Sequence, residues 1–146
     1  MKKANYLLAL FISLFFLSCQ AGETATSKQT ELSQSQQTVA ISLSNEDWAS
    51  KMEETPGFIL DVRTQGEYDQ GYIEGAQLID VTEASFLENI TGSDIDKSTP
   101  IYLYCRSGSR SKKAMQILKS NGYTNLYELN NGFMGWQSAG LPFVTP

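Results

Sequence analysis

Histidine is absent from this 146-residue sequence, and cysteine occurs only twice, at Cys19 and Cys105. With no imidazole and so few thiols, the chain is poorly equipped to hold a transition metal, and no metal or other cofactor is expected. Positive charge is scarce too: 11 Lys and Arg stand against 16 Asp and Glu, a net charge of −5. A face built for nucleic acid is therefore not expected. Long apolar runs are missing as well. The stretch from Tyr6 to Leu17 falls short of the roughly 20 residues that a membrane-spanning helix needs. Large apolar side chains are almost absent between Gln20 and Thr38, where Ser, Thr, Gln and Glu dominate. Such a segment cannot bury enough surface to offset its ordering entropy, so residues 19–38 read as a flexible tether. Residues 39–146 remain, enough for one small, monomeric domain with a single core.

The N-terminus has its own logic. Met1-Lys2-Lys3, the apolar stretch and the small Ser18 form a secretory leader over residues 1–18. Its end, Phe16-Leu17-Ser18-Cys19, resembles a bacterial lipoprotein lipobox, with Phe16 in place of the more usual Leu. That resemblance implies cleavage before Cys19 and acylation of its sulfur and amino group. The expected location is the cell envelope, on the outer membrane or a periplasmic face, held through the lipid on Cys19. Gln20 after Cys19, rather than Asp, favours the outer membrane. Loss of Lys2 and Lys3 with the leader leaves nine of the 11 basic residues against 16 acidic ones. Lipidation of Cys19 would leave Cys105 as the lone thiol, with no intramolecular disulfide possible in an oxidising compartment. A single exported thiol is better explained by reactivity than by packing, and a two-cysteine redox cycle is not expected.

Cys105-Arg106-Ser107-Gly108-Ser109-Arg110 follows the apolar run Ile101 to Tyr104 and precedes an amphipathic run carrying Ala114, Ile117 and Leu118. A thiol at the end of a buried strand, followed by a Gly- and Arg-bearing loop opening a helix, forms an anion cradle with a nucleophile at its base. The N–H groups of the loop and first helical turn have no intrahelical partners and are free to point inward. Arg106 and Arg110 add positive charge. A free cysteine titrates near ~8.5 and is mostly thiol at neutral pH. Helix N-termini and cations bring that value into roughly the 3.5–7.5 range, where the reactive thiolate dominates. The competing reading is a buried cysteine serving as a small hydrophobe at a strand end.

Around this loop the chain alternates strands and helices. Val39 to Leu43 reads as a strand; Ser44, with Asp47 three residues on, caps a helix through Trp48 and Met52, and Pro56-Gly57 ends it. Phe58 to Val62 is an apolar strand of the kind covered on both faces. A brief helix over Thr64–Gln70 stops at Gly71. A third strand follows at Gln77–Asp80, then an amphipathic helix over Ala84–Ile90. The helix after Cys105 ends at Gly122, and Asn125–Leu129 forms the last strand. A final helix from Gly132 to Ser138 carries Phe133 and Trp136 as core. This alternation predicts a mostly parallel five-stranded sheet with helices on both faces, with any ligand beyond the carboxyl ends of the strands.

Three motifs in order resemble the rhodanese (thiosulfate sulfurtransferase) family. They are Asp61-Val62-Arg63 with Glu67-Tyr68 and Gly71-Tyr72-Ile73-Glu74-Gly75-Ala76; Cys105 to Ser111; and Gly122-Tyr123, Leu129, Gly132, Trp136 and Gly140-Leu141-Pro142. The resemblance covers nearly all of residues 39–146 and implies a three-layer α/β sandwich. Where the family usually has His this chain has Tyr72, and where it often has Pro this chain has Glu74. Where the family commonly has two glycines, Asn131-Gly132 stands, with Asn131 expected to keep a left-handed turn.

The resemblance implies double displacement: Cys105 takes the outer sulfur of a donor such as thiosulfate as a persulfide, then yields it to cyanide or a thiol. Loop N–H groups from Arg106 to Arg110 would stabilise the anion, and Ser107 and Ser109 would add hydroxyl donors around Gly108. Arg106 is expected to face solvent and guide the donor. Arg110 either binds substrate or braces the loop through its carbonyls. Asp61 and Arg63 read as a structural ion pair supporting the pocket. Two other classes compete. Cysteine phosphatases and arsenate reductases place five residues between Cys and Arg to enclose a tetrahedral oxyanion; here four intervene, and no Asp-bearing segment offers a general acid. A non-catalytic sulfur carrier or protein-binding module is the other.

Overall fold

A computed structural model describes residues 37–146. The leader, Cys19 and all but the last two residues of the expected tether lie outside the described residues. The elements follow in the order β1 (Val39–Leu43), α1 (Asn45–Glu54), β2 (Phe58–Asp61), α2 (Gln65–Tyr68), β3 (Gln77–Leu78), α3 (Phe86–Gly92), β4 (Ile101–Tyr104), α4 (Ser109–Ser120), β5 (Asn125–Leu129) and α5 (Gly132–Ser138). The five strands form one sheet in the order β1-β5-β4-β2-β3. Every pairing is parallel, so the sheet is wholly rather than mostly parallel.

Alternation along the strands divides the core in two. Ile101, Leu103 and Cys105 from β4 and its end pack with Phe86 and Ile90 of α3 and Ala114, Met115 and Leu118 of α4. Tyr102 and Tyr104 project to the other side, with Trp48 of α1 and Phe133 and Trp136 of α5. This is a three-layer sandwich, and β4 at its centre is buried along its whole length. On the second face, the Trp48 ring meets Tyr102 and Trp136 edge-on at 5.5 and 5.4 Å, and its indole N–H donates to the Tyr127 carbonyl at 3.1 Å. Ser44 caps α1 as its spacing from Asp47 predicts, accepting from the Asp47 amide at 3.1 Å.

Several boundaries differ from expectation, each for a local reason. β2 stops at Asp61 because that carboxylate accepts from the Arg63 amide at 2.9 Å and turns the chain. β3 is two residues long. The Asp80 carboxylate takes the Thr82 amide and hydroxyl at 2.8 and 2.7 Å, and that turn delays α3 to Phe86. Asn131 is not left-handed: its φ is −95°, and Gly132 alone takes the positive value, +57°.

The topology places the crevice. β2 is followed by its neighbour on one side, β3, and β4 by its neighbour on the other, β5. The loops leaving β2 and β4 therefore diverge, which opens a cleft beyond their carboxyl ends. Cys105 leaves β4 there, and Arg63 leaves β2.

Leu103 is fully buried in the middle of β4. Its replacement by alanine leaves a cavity between the sheet and α4 that costs about 2–5 kcal/mol. Urea denaturation checks this: the midpoint drops while the slope stays at the wild-type value.

Candidate active site

Cys105 sits between the last residue of β4 and the turn that opens α4, and it is 1% exposed. The Gly108 amide donates to its Sγ at 3.2 Å, and the Ser111 hydroxyl lies 3.5 Å from the same sulfur. Burial alone pushes the Cys105 thiol up. Hydrogen bonds from the Ser111 hydroxyl and from the amides of Ser111, Ser107 and Gly108 outweigh that, holding the thiol below its ordinary value. The sulfur thus loses water and gains fixed donors in its place.

The loop keeps this shape because two glycines let backbones meet. Gly108 has φ +96°, and a Cβ there would stand 2.2 Å from the Asn130 carbonyl oxygen. At Gly132 an added Cβ would lie 2.5 Å from the Cys105 carbonyl oxygen. With that space left open, the start of α5 closes on the loop from outside. The Phe133 amide donates to the Cys105 carbonyl at 2.8 Å and the Met134 amide to the Arg106 carbonyl at 3.0 Å. The Cys105 and Arg106 carbonyls thus point outward to α5, while the Gly108 amide turns inward to the sulfur.

Arg110 does not bond loop carbonyls, the bracing role expected of it as one alternative. Both of its terminal nitrogens donate to the Glu67 carboxylate, at 2.7 and 2.6 Å. That bond is the main force lowering Glu67 from the ordinary 4.5 to about 2, opposed by burial and assisted by Thr64. Glu67 also accepts from the Thr64 amide at 3.1 Å, completing a capping box on α2. One carboxylate therefore ties α2 to the first turn of α4. Asp61 and Arg63 pair as the sequence predicts: the Arg63 Nε lies 2.9 Å from both Asp61 oxygens, and its Nη2 donates to the Gly71 carbonyl at 2.7 Å. Its guanidinium stands 4.2 Å from the centre of the Phe133 ring, so it also joins β2 to α5.

Arg63, Glu67, Arg106, Phe133 and Met134 line a cleft of about 460 Å³. Arg106 is exposed, as expected, and so are Ser107 and Ser109. The hydroxyl beside the sulfur belongs to Ser111 instead, a residue visible in the motif but not singled out. Two further participants carry little sequence signal. Glu67 is legible only as part of a motif. Glu128 is a fully buried carboxyl on β5 whose Oε1 lies 2.7 Å from Ser111 Oγ. Its one sequence signal is an acid between Tyr127 and Leu129 in an otherwise core-forming strand. At Tyr72, where His was the usual residue, the ring stacks on Tyr68 at 4.1 Å while its backbone pairs with Val144.

Residues 45–139 match the model of the rhodanese-like domain. The chain belongs to this family. A sulfurtransferase of Allochromatium vinosum is 33% identical over 105 residues, which cover 71% of this chain and 94% of that protein. The uncharacterized protein YqhL of Bacillus subtilis is 37% identical over 78 residues, 53% of this chain and 59% of its own length. Among solved structures, the rhodanese-like domain of the Anabaena Alr3790 protein superposes with a TM-score of 0.65 at 27% identity, covering 74% of this chain and 81% of that one. The chain spans 31% of the tRNA uridine(34) hydroxylase of Chlamydia felis, which it also matches. In this rhodanese-like domain, Cys105 occupies the loop that the family resemblance marks as the reactive one.

The Glu67–Arg110 contact makes the domain acid-sensitive in a defined window. Glu67 titrates lower in the folded chain than in the unfolded one, so its contribution is present above about pH 4.5 and is lost as pH falls towards about 2. In thermal melts across that window, the gap between wild type and Glu67→Gln should narrow as pH falls. Melting curves that stay parallel would refute the pairing.

Proposed function

We propose that this rhodanese-like domain is a sulfurtransferase that moves a sulfane sulfur from a small anionic donor such as thiosulfate to cyanide or a thiol, through a persulfide on Cys105. The observation that carries this reading is a buried thiol held by hydroxyl and amide hydrogen bonds that lower it, in a loop with four residues between Cys105 and Arg110. The Cys105 thiolate attacks the outer sulfur of thiosulfate. A new S–S bond forms, the old one breaks, and its electron pair leaves with sulfite. The terminal persulfide sulfur then inherits the amide donors that held the thiolate. A cyanide or thiolate acceptor attacks that sulfur, and the Cys105 thiolate departs with its electron pair. Arg106, exposed on the cleft, supplies the uncommitted positive charge that draws the donor in. The sulfurtransferase among the relatives supports the same chemistry. We also propose that the mature chain is lipid-anchored in the cell envelope through Cys19, on the strength of the Leu17-Ser18-Cys19 pattern.

Mass spectrometry of the chain treated with thiosulfate is expected to show one added sulfur on Cys105, and thiocyanate should accumulate when cyanide follows. Cys105→Ser is expected to give neither. Phosphomonoester hydrolysis without sulfur transfer would overturn the proposal. A stable sulfur adduct with no turnover would assign the domain as a carrier.

A further inference from the structure

Glu128 is 0% exposed in the centre of the sheet, on the strand beside β4. Its Oε1 meets the Ser111 hydroxyl, and its Oε2 has no hydrogen-bond partner among the described residues. An acid there contributes little to packing, and a buried unpaired carboxylate is costly. The ion pairs among the described residues, Lys51–Glu54, Arg63–Asp61 and Arg110–Glu67, do not include it.

Ser111 presents a second problem. Its single proton has three acceptors in reach: Glu128 Oε1 at 2.7 Å, the Gly108 carbonyl at 3.0 Å and Cys105 Sγ at 3.5 Å. One hydroxyl cannot supply all three. A proton on Glu128 resolves both difficulties. The acid then donates to Ser111 Oγ, the Ser111 proton is free to turn to the sulfur, and no buried charge is left on β5.

We propose that Glu128 is a positioning residue that receives, through Ser111, the proton Cys105 gives up on becoming a thiolate. The S–H bond breaks as its proton passes to a lone pair of Ser111 Oγ. The original Ser111 proton passes to Glu128, where a new O–H bond forms. Nothing is oxidised or reduced, and the net charge of the trio is unchanged. Thiolate is thereby made inside the protein without releasing a proton to water. The relay deepens the sulfur-transfer reading and rests on it for its purpose, while being a property of the free thiol.

The other charged groups around the sulfur are already engaged. Arg110 on α4 is held by Glu67 of α2, and the Arg63 on the β2 side is held by Asp61. Lys112 of α4 donates to the Asn130 side chain at 3.2 Å. Arg106 on the loop faces solvent.

The test uses the full chain with iodoacetamide as the probe. Alkylation rate and thiolate ultraviolet absorbance are followed against pH for wild type, Glu128→Gln, Ser111→Ala and the double variant. Glu128→Gln keeps the shape, and its side-chain N–H donates to Ser111 as the neutral acid does, so its profile should stay with wild type while the acid band is lost. Ser111→Ala takes the hydroxyl from the sulfur, so its profile should move up by about one pH unit, a roughly tenfold slower reaction below the midpoint. The double variant should match Ser111→Ala. Infrared spectra of wild type should show a neutral carboxylic-acid stretch at neutral pH alongside the thiolate, and Cys105→Ser, which has no proton to give up, should lose it. That pair of spectra decides the question even if a Glu128 or Ser111 variant fails to fold. A Glu128→Gln profile that moves, an acid band absent from wild type, or one that persists in Cys105→Ser would overturn the relay. Sulfur transfer without the acid band sinks the relay alone; an intact acid-band signature with no sulfur transfer sinks the functional assignment alone.

Discussion

The site depends on exchanging water for fixed hydrogen-bond donors at one sulfur. Removing Cys105 from solvent works against its charged form, and the Ser111 hydroxyl and three loop amides reverse that balance. The exchange succeeds only if the amides already point inward before any charge arrives. Their direction is set by backbone contacts that tolerate no side chain. Gly108 presses against the Asn130 carbonyl and Gly132 against the Cys105 carbonyl. The loop is therefore held from both sides: α5 takes its carbonyls and the sulfur takes its amides. Preorganised dipoles of this kind stabilise charge without reorganising when it develops.

The same arrangement revises the role of the arginines. Arg106 and Arg110 beside the thiol look, in sequence, like a source of its acidity. In the fold, Arg110 is bound by Glu67, as Arg63 at the neighbouring strand end is bound by Asp61. Their charges are largely spent on joining elements: α2 to α4 in one case, β2 to α5 through Phe133 in the other. Backbone and hydroxyl donors are what lower the thiol, and Arg106 keeps an exposed charge on the cleft. The sheet order explains why these groups meet. The diverging connections from β2 and β4 bring an ion pair from one strand end and a thiol from the next to the same crevice.

Much of this is legible in the sequence. β1, β4, β5 and α5 fall at the expected residues because each is a strongly apolar run or ends at an unambiguous turn. The Cys105 loop, the Asp61–Arg63 pair and the buried roles of Phe133 and Trp136 follow from local pattern. What failed was non-local. Glu67 stands 43 residues from Arg110, and no spacing rule connects them. Ser111 and Glu128 are 17 apart, on different elements, and meet only because α4 packs over β5. The short β3 is set by an aspartate turn rather than by its own apolar residues. The left-handed role that the pattern suggests for Asn131 is performed by Gly132, its neighbour.

Access to the sulfur constrains the order of events. At 1% exposure, Cys105 admits one reacting atom at a time. In the proposed transfer a donor and an acceptor could not both touch it, so the sulfur atom would be stored between two visits. Storage on a single thiol requires a form stable in a buried setting. In that proposal the form is a persulfide anion, for which the donors aimed at Sγ offer fixed partners. Cys105 is the free cysteine among the described residues, so no second thiol within them would discharge the store. Arg106, Phe133 and Met134 line the cleft beyond the strand ends, and its charged rim beside an apolar wall suits small anions and thiols alike. On that reading, alternation between donor and acceptor follows from the burial of one atom rather than from a second binding site.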